Sequence, residues 1–167
     1  MWLSKLNDMS VGPLWVLRDT ATAAAEPVEA NCPVCGAAWL EPAAQQQEVL
    51  VVLADPLTEP AQQTLLDNCI RAAGWSEVAG ILTLHAACSP EAGVKALERQ
   101  LAATPVGRVI VFGQSAAQRI NPAFERGALH QFGQAGLVVT HHPAQLLATP
   151  ALKAQTWADL CLARLED

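Results

Sequence analysis

Cys32-Pro33-Val34-Cys35-Gly36 is a tight knuckle, and two thiolates separated by two residues can close on one zinc or iron ion. Cys88 adds a third thiol, and His85 could complete a Cys3His set of the kind zinc accepts. Only one short-spaced ligand pair is present, so these residues are read as a turn without metal, and no cofactor is expected. Cys69 and Cys161 fall at apolar helix positions and read as small buried hydrophobes. His130 stands beside an apolar strand without ligand spacing and reads as structural. His141-His142-Pro143 makes a His-Pro turn between a buried strand at LVVT, 137–140, and a closing helix.

The chain that must position these groups has 167 residues, 51% of them hydrophobic, which suits one domain with extra segments. A net charge of -6 and ten scattered basic residues argue against strong direct nucleic-acid binding, because phosphate neutralisation needs clustered Lys and Arg. The apolar runs are strand-sized, far short of the roughly 20 residues that span a bilayer, so no membrane association is expected. Five cysteines, an odd number in a chain able to stabilise itself by burial, fit reduced thiols and a cytoplasmic location.

Three regions differ in composition. Residues 1–18 concentrate apolar side chains, with Leu6, Met9, Val11, Trp15 and Leu17 followed by Arg18, and Gly12-Pro13 interrupts the run. Residues 19–47 turn to Ala, Glu, Pro and Gln, a composition that buries little and reads as a connector. From 48 to 167 strands and helices alternate. VLVVL at 49–53 predicts a central parallel strand, and a helix is expected from Pro60 to Ala73 with Leu65, Leu66, Cys69 and Ile70 on one face and Gly74 as the stop. GILTL at 80–84 reads as the next strand. Ser89-Pro90-Glu91 starts a helix that turns Val94, Leu97 and Leu101 inward, with a hydroxyl cap ahead of Pro and an acidic residue at the positive end of the dipole. RVIVFG at 108–113 is the third strand and QSAAQRI at 114–120 a short helix. The order implies a layered α/β domain with a mostly parallel central sheet, plus an N-terminal extension.

The last segment, a buried strand, a His-Pro turn and a closing helix in that order, resembles the C-terminal part of the uracil-DNA glycosylase superfamily, and within it Leu146, Leu147, Pro150, Trp157, Leu160 and Cys161 make a Leu-Leu-x-x-Pro…Trp-x-x-Leu-Cys pattern shared with a non-enzymatic family that has borrowed this fold. The resemblance extends to GRVIVFGQSAAQRI, where a strand ends in Gly and enters an Ala-Ala helix, and covers roughly residues 48–165. It implies a glycosylase-like fold and shows where base-excision chemistry would have to stand. In the iron-sulfur branch of the superfamily the first strand leads into a Gly-rich loop with an acidic residue. Here that place reads LADPLTEP, which retains Asp55 but has no glycine. The Asn that reads the uracil edge after the second strand is replaced by Leu84 in LTLHAAC. His142 matches the family's late histidine. The fourth cluster ligand should start the helix after Cys88, but SPEAGVKALERQ holds neither Cys nor His.

One family with this fold is not enzymatic: the psi subunit of bacterial DNA polymerase III. LNDMSVGPLWVLR resembles the psi opening motif, with Leu6, Met9, Ser10, Val11, Trp15, Leu17 and Arg18 in its places and one extra residue before Trp15. That resemblance implies a partner-binding peptide, Leu6, Met9, Val11, Trp15, Leu17 and Arg18, that docks on the clamp-loader ATPase subunits (gamma/tau). It also implies an α/β body that binds the chi subunit, with an indirect link to single-stranded-DNA-binding protein. No catalytic residue is expected on this reading. An active or degenerate glycosylase-like repair protein is the alternative, and a metal-binding α/β domain of unrelated role is a third.

Overall fold

The computed structural model describes residues 48–76, 78–84 and 89–164. The expected peptide residues Leu6, Met9, Val11, Trp15, Leu17 and Arg18 lie outside the described residues, as do Cys32, Cys35, His85 and Cys88. The described residues form a five-stranded sheet in the order β2-β1-β3-β5-β4. Its strands are β1 (Val49–Leu53), β2 (Val78–Thr83), β3 (Arg108–Phe112), β4 (Leu129–Phe132) and β5 (Ala135–Thr140). Its helices are α1 (Pro60–Ala72), α2 (Pro90–Ala103), α3 (Gln114–Ile120), α4 (Pro143–Ala148) and α5 (Leu152–Arg164). β1, β2, β3 and β5 run parallel and β4 is antiparallel to β5. No described helix is long and apolar enough to cross a membrane.

Every side chain of β1 is buried, because both faces of the sheet are covered and a central strand then has no polar side. Leu66 and Ile70 of α1 and Leu160 and Ala163 of α5 pack on one face, against Val49, Val51, Leu53, Ile110, Phe112 and Val138. Ala96 and Leu97 of α2 and Ala116, Ala117 and Ile120 of α3 pack on the other, against Leu50, Val52, Val109 and Val111. The pleat sends alternate residues of each strand to opposite layers. At about 2 kcal/mol for each fully buried Leu, Ile, Val or Phe, these two layers supply the main driving force for folding.

The cap signals work as their chemistry predicts. Ser89 Oγ accepts from the Ala92 N–H at 3.2 Å, ahead of Pro90 and Glu91 in the first turn of α2. Leu97 is fully buried while Val94 and Leu101 are half-buried, because Ala96 shares the inward face. The same α2 carries a glycine in its interior, and packing explains it: a Cβ on Gly93 would stand 2.7 Å from the Arg119 carbonyl oxygen of α3. Absence of a side chain there lets α2 and α3 approach closely enough to share a core.

Two features depart from the sequence reading. The single closing helix is two helices, since α4 stops at Ala148 and α5 begins at Leu152, with Pro150 in the turn between them. Proline lacks the N–H that would continue the ladder and restricts the residue before it. The other is β4, whose LHQF has no alternating pattern of its own and becomes a strand by pairing with β5. Its His130 is structural, as expected, with its ring centroid 4.8 Å from that of Phe124 and its Nε2 2.7 Å from the Glu125 carbonyl oxygen. Cys69 and Cys161 are half-buried rather than fully enclosed.

Candidate functional site

In an open parallel sheet the strand order reverses on either side of one pair, and ligands bind beyond the carboxyl ends of the strands there. β1 connects through α1 to β2 on one side, and β3 lies on the other side of β1, so this crevice falls between β1 and β3. Three of the sequence-derived residues gather at this end of the sheet: Asp55 after β1, Leu84 after β2 and His142 after β5.

His142 is placed by backbone geometry at two strand ends. Gly113, the residue after β3, has φ +100° and donates its N–H to the Thr140 carbonyl at 2.7 Å. A Cβ on Gly113 would lie 3.4 Å from His142 Cβ, so a bare backbone in a left-handed conformation lets the β3 and β5 ends close together. His142 then caps α4. Its Nδ1 accepts from the Ala144 N–H at 3.2 Å, and its own N–H donates to Gln145 Oε1 at 3.1 Å, a reciprocal capping pair ahead of Pro143. With Nδ1 as acceptor, the neutral ring carries its proton on Nε2. That atom is buried and has no hydrogen-bond partner among the described residues.

Burial pushes the His142 imidazole below its usual pKa of 6.5, opposed by the Asp55 carboxylate and by the nearby Asp55 backbone. The Asp55 backbone is close enough to favour the protonated ring but lies outside hydrogen-bonding geometry. A base whose folded-state pKa is depressed takes up fewer protons than in the unfolded chain, so stability must fall as pH drops from 6.5 through the folded-state value. His142→Asn keeps a capping side chain and removes the titration. The loss of stability as pH falls below 6.5 should therefore be smaller in the variant, measured by urea denaturation on the acid side of that value. An unchanged acid limb would mean that His142 does not control it.

The end of β2 is apolar. Leu84 is 2% exposed, packs in the layer formed with α2 and α3, and donates its N–H to the Leu53 carbonyl at 2.7 Å. Its side chain thus belongs to the core and offers no polar edge. The loop after β1 keeps Asp55 exposed, and Gln62 Oε1 accepts from the Thr58 N–H at 3.3 Å, so the loop is tied to α1 without any glycine.

A buried polar network next to this site was not foreseen in the sequence reading. Asp159, 2% exposed, accepts from Thr140 Oγ1 at 2.9 Å and from Arg126 Nη1 at 3.1 Å to each carboxylate oxygen. It ties α5 both to the last residue of β5 and to the loop before β4. The signal was present: Thr156, Asp159, Leu160 and Ala163 fall at helical spacing on one buried face, which puts a carboxylate among core positions. His141, at the same strand end, faces α5 instead, with Nε2 3.0 Å from Gln155 Oε1.

Among the described residues no three His, Cys, Asp or Glu side chains come together to hold a metal. The start of α2, where a fourth cluster thiolate would stand, is occupied by Ser89, whose hydroxyl serves as the helix cap. A four-thiolate cluster therefore does not fit this donor set.

The layered α/β fold agrees with the comparison to known families. The family model of the uracil DNA glycosylase superfamily matches residues 35–166, and the chain belongs to that superfamily. No individual curated protein gives a significant match.

Proposed function

We propose that this chain is a non-catalytic member of its superfamily that acts as a psi-like accessory subunit of the DNA polymerase III clamp loader. The body is a scaffold for the chi subunit, and residues 1–18 are a hook for the clamp-loader ATPase subunits (gamma/tau). Through chi the chain is coupled indirectly to single-stranded-DNA-binding protein. One protein holding two partners raises their effective concentration, which is a function that needs no reaction centre.

The observation that carries the reading is Leu84. A uracil pocket needs polar groups facing the base, and here the position is filled by a side chain buried in the core. The glycine-free loop around Asp55 supports it, as does the use of His142 Nδ1 in capping α4. The opening motif through Trp15 and Arg18 is what turns a generic scaffold into a clamp-loader subunit, since an aromatic residue and an arginine are favoured interface anchors. An active or degenerate glycosylase is the alternative, favoured by one observation: the unpartnered Nε2 of His142 beside Asp55.

The purified chain should release no uracil from single- or double-stranded DNA, and clamp-loader subunits and chi should copurify with it from the native cell. Excision that disappears in His142→Ala would overturn the scaffold reading in favour of the alternative. Copurification with neither partner, in the absence of excision, would overturn the clamp-loader assignment.

A further inference from the structure

On the face of the sheet covered by α1 and α5 the two helices leave a cleft of about 160 Å³ between them. Its walls are apolar, with Leu65 and Cys69 on one side, Trp157 and Leu160 on the other and Leu146 of α4 at one end. The volume is close to the roughly 150 Å³ of an apolar cavity that accepts one benzene ring, so it holds one aromatic side chain. Trp157 at 44% and Leu147 at 38% are the exposed large hydrophobics among the described residues, and Trp157 stands in the cleft wall. Thr156 also lines the cleft. It is 2% exposed, and its Oγ1 has no hydrogen-bond partner among the described residues.

Charge narrows the choice of occupant. In a chain of net charge -6, α1 and α5 carry Arg71, Lys153 and Arg164 against Asp67, while Asp159 is paired with Arg126. Lys153 lies at the cleft itself. Residues 19–47 have the opposite character, with Asp19, Glu26, Glu29 and Glu41 and no Lys or Arg. Within them Ala37-Ala38-Trp39-Leu40-Glu41 joins a tryptophan and a leucine directly to a carboxylate. The family match begins at residue 35, so this stretch falls inside the matched region.

Chain length allows the visit. Glu48 is fixed where its Oε2 accepts from the Ser76 N–H at 3.1 Å, just beyond the end of α1. The Arg164 guanidinium at the end of α5 comes within 3.8 Å of where a Gly74 Cβ would stand, so both helices end near the point where the chain enters the body. Trp39 lies nine residues upstream of Glu48, a reach of up to about 30 Å.

We propose that the α1/α5 cleft is the docking site of the chain's own segment 37–41, with Trp39 covering the apolar walls and Glu41 beside Lys153. This holds whether or not the chain serves a clamp loader.

Cys69 in the cleft wall is a reporter for it, and Cys161, elsewhere on α5, is the control. Full-length protein is alkylated with N-ethylmaleimide and the modified peptides are quantified by mass spectrometry. Trp39→Ala should raise the labelling rate of Cys69 at least about tenfold, the factor that about 1.4 kcal/mol of docking provides, with Cys161 unchanged. Glu41→Lys should raise it, and Glu41→Lys combined with Lys153→Glu should label Cys69 more slowly than Lys153→Glu alone, a comparison that holds the charge at position 153 beside the thiol constant. No change in Trp39→Ala overturns the proposal, as does protection lost on dilution of the wild type alone, which would assign the cleft to a second copy. If Cys161 labelling rises as well, the charge-reversal pair decides: failure of the double variant to label Cys69 more slowly than Lys153→Glu alone overturns the proposal.

Discussion

Asp159→Ala should destabilise the fold by about 3 kcal/mol, read as a fall in Tm of about 6 to 12 °C for a domain of this size. The carboxylate is 2% exposed and holds three hydrogen bonds, two from Arg126 and one from Thr140. Removing it leaves the Thr140 hydroxyl, itself 1% exposed, buried without its acceptor, which costs about 1 to 3 kcal/mol. Arg126 is 35% exposed and can turn to solvent, so the released cation adds less than a fully buried charge would. Loss of the tie between α5 and the loop before β4 adds to the total. Asp159→Asn retains an acceptor for Thr140 and should cost about half as much. An Asp159→Ala protein within about 0.5 kcal/mol of wild type in urea titration would show that the network is not a structural tie.

Deleting residues 1–18 should eliminate clamp-loader binding while leaving a folded body that still binds chi. The connector 19–47 contains no run of core-forming residues comparable to β1, so the peptide and the body are expected to act independently. Within the peptide, Trp15→Ala should weaken binding by about 2 kcal/mol or more, roughly thirtyfold, because a central aromatic anchor concentrates interface energy. Leu6, Met9, Val11, Leu17 and Arg18 complete the expected contact set. Isothermal titration of the full chain, the truncation and Trp15→Ala with isolated clamp-loader subunits measures this, with a melting curve as control. Truncation that unfolds the body would show that residues 1–18 belong to the core, and truncation that leaves affinity for the ATPase subunits intact would show that they are not the hook.

The peptide is legible only as a sequence pattern, and its residues lie outside those described. The Asp159 network is legible only in space, since Thr140, Arg126 and Asp159 are brought together from a strand end, a loop and a helix.

The sequence by itself determined the elements whose signals are local. A continuous run such as VLVVL can be satisfied only by burial on both faces, and Ser89-Pro90-Glu91 and Gly74 mark helix ends through the chemistry of their own backbone. It also determined that a leucine follows β2 and that the loop after β1 lacks glycine, because these are matters of residue identity. Tertiary structure alone decided where those groups stand. β4 is a strand because β5 offers it a partner, Gly93 is a glycine because α3 crosses close by, and His142 is a helix cap with a depressed pKa because the ends of β3 and β5 close around it. The cleft between α1 and α5 is the gap left when two helices, of which only α1 has its apolar face legible from its period, cover a sheet they do not fill. Periodicity reports which face of an element is buried, while pairing, crossing distance and the width of a gap depend on elements far apart in the chain.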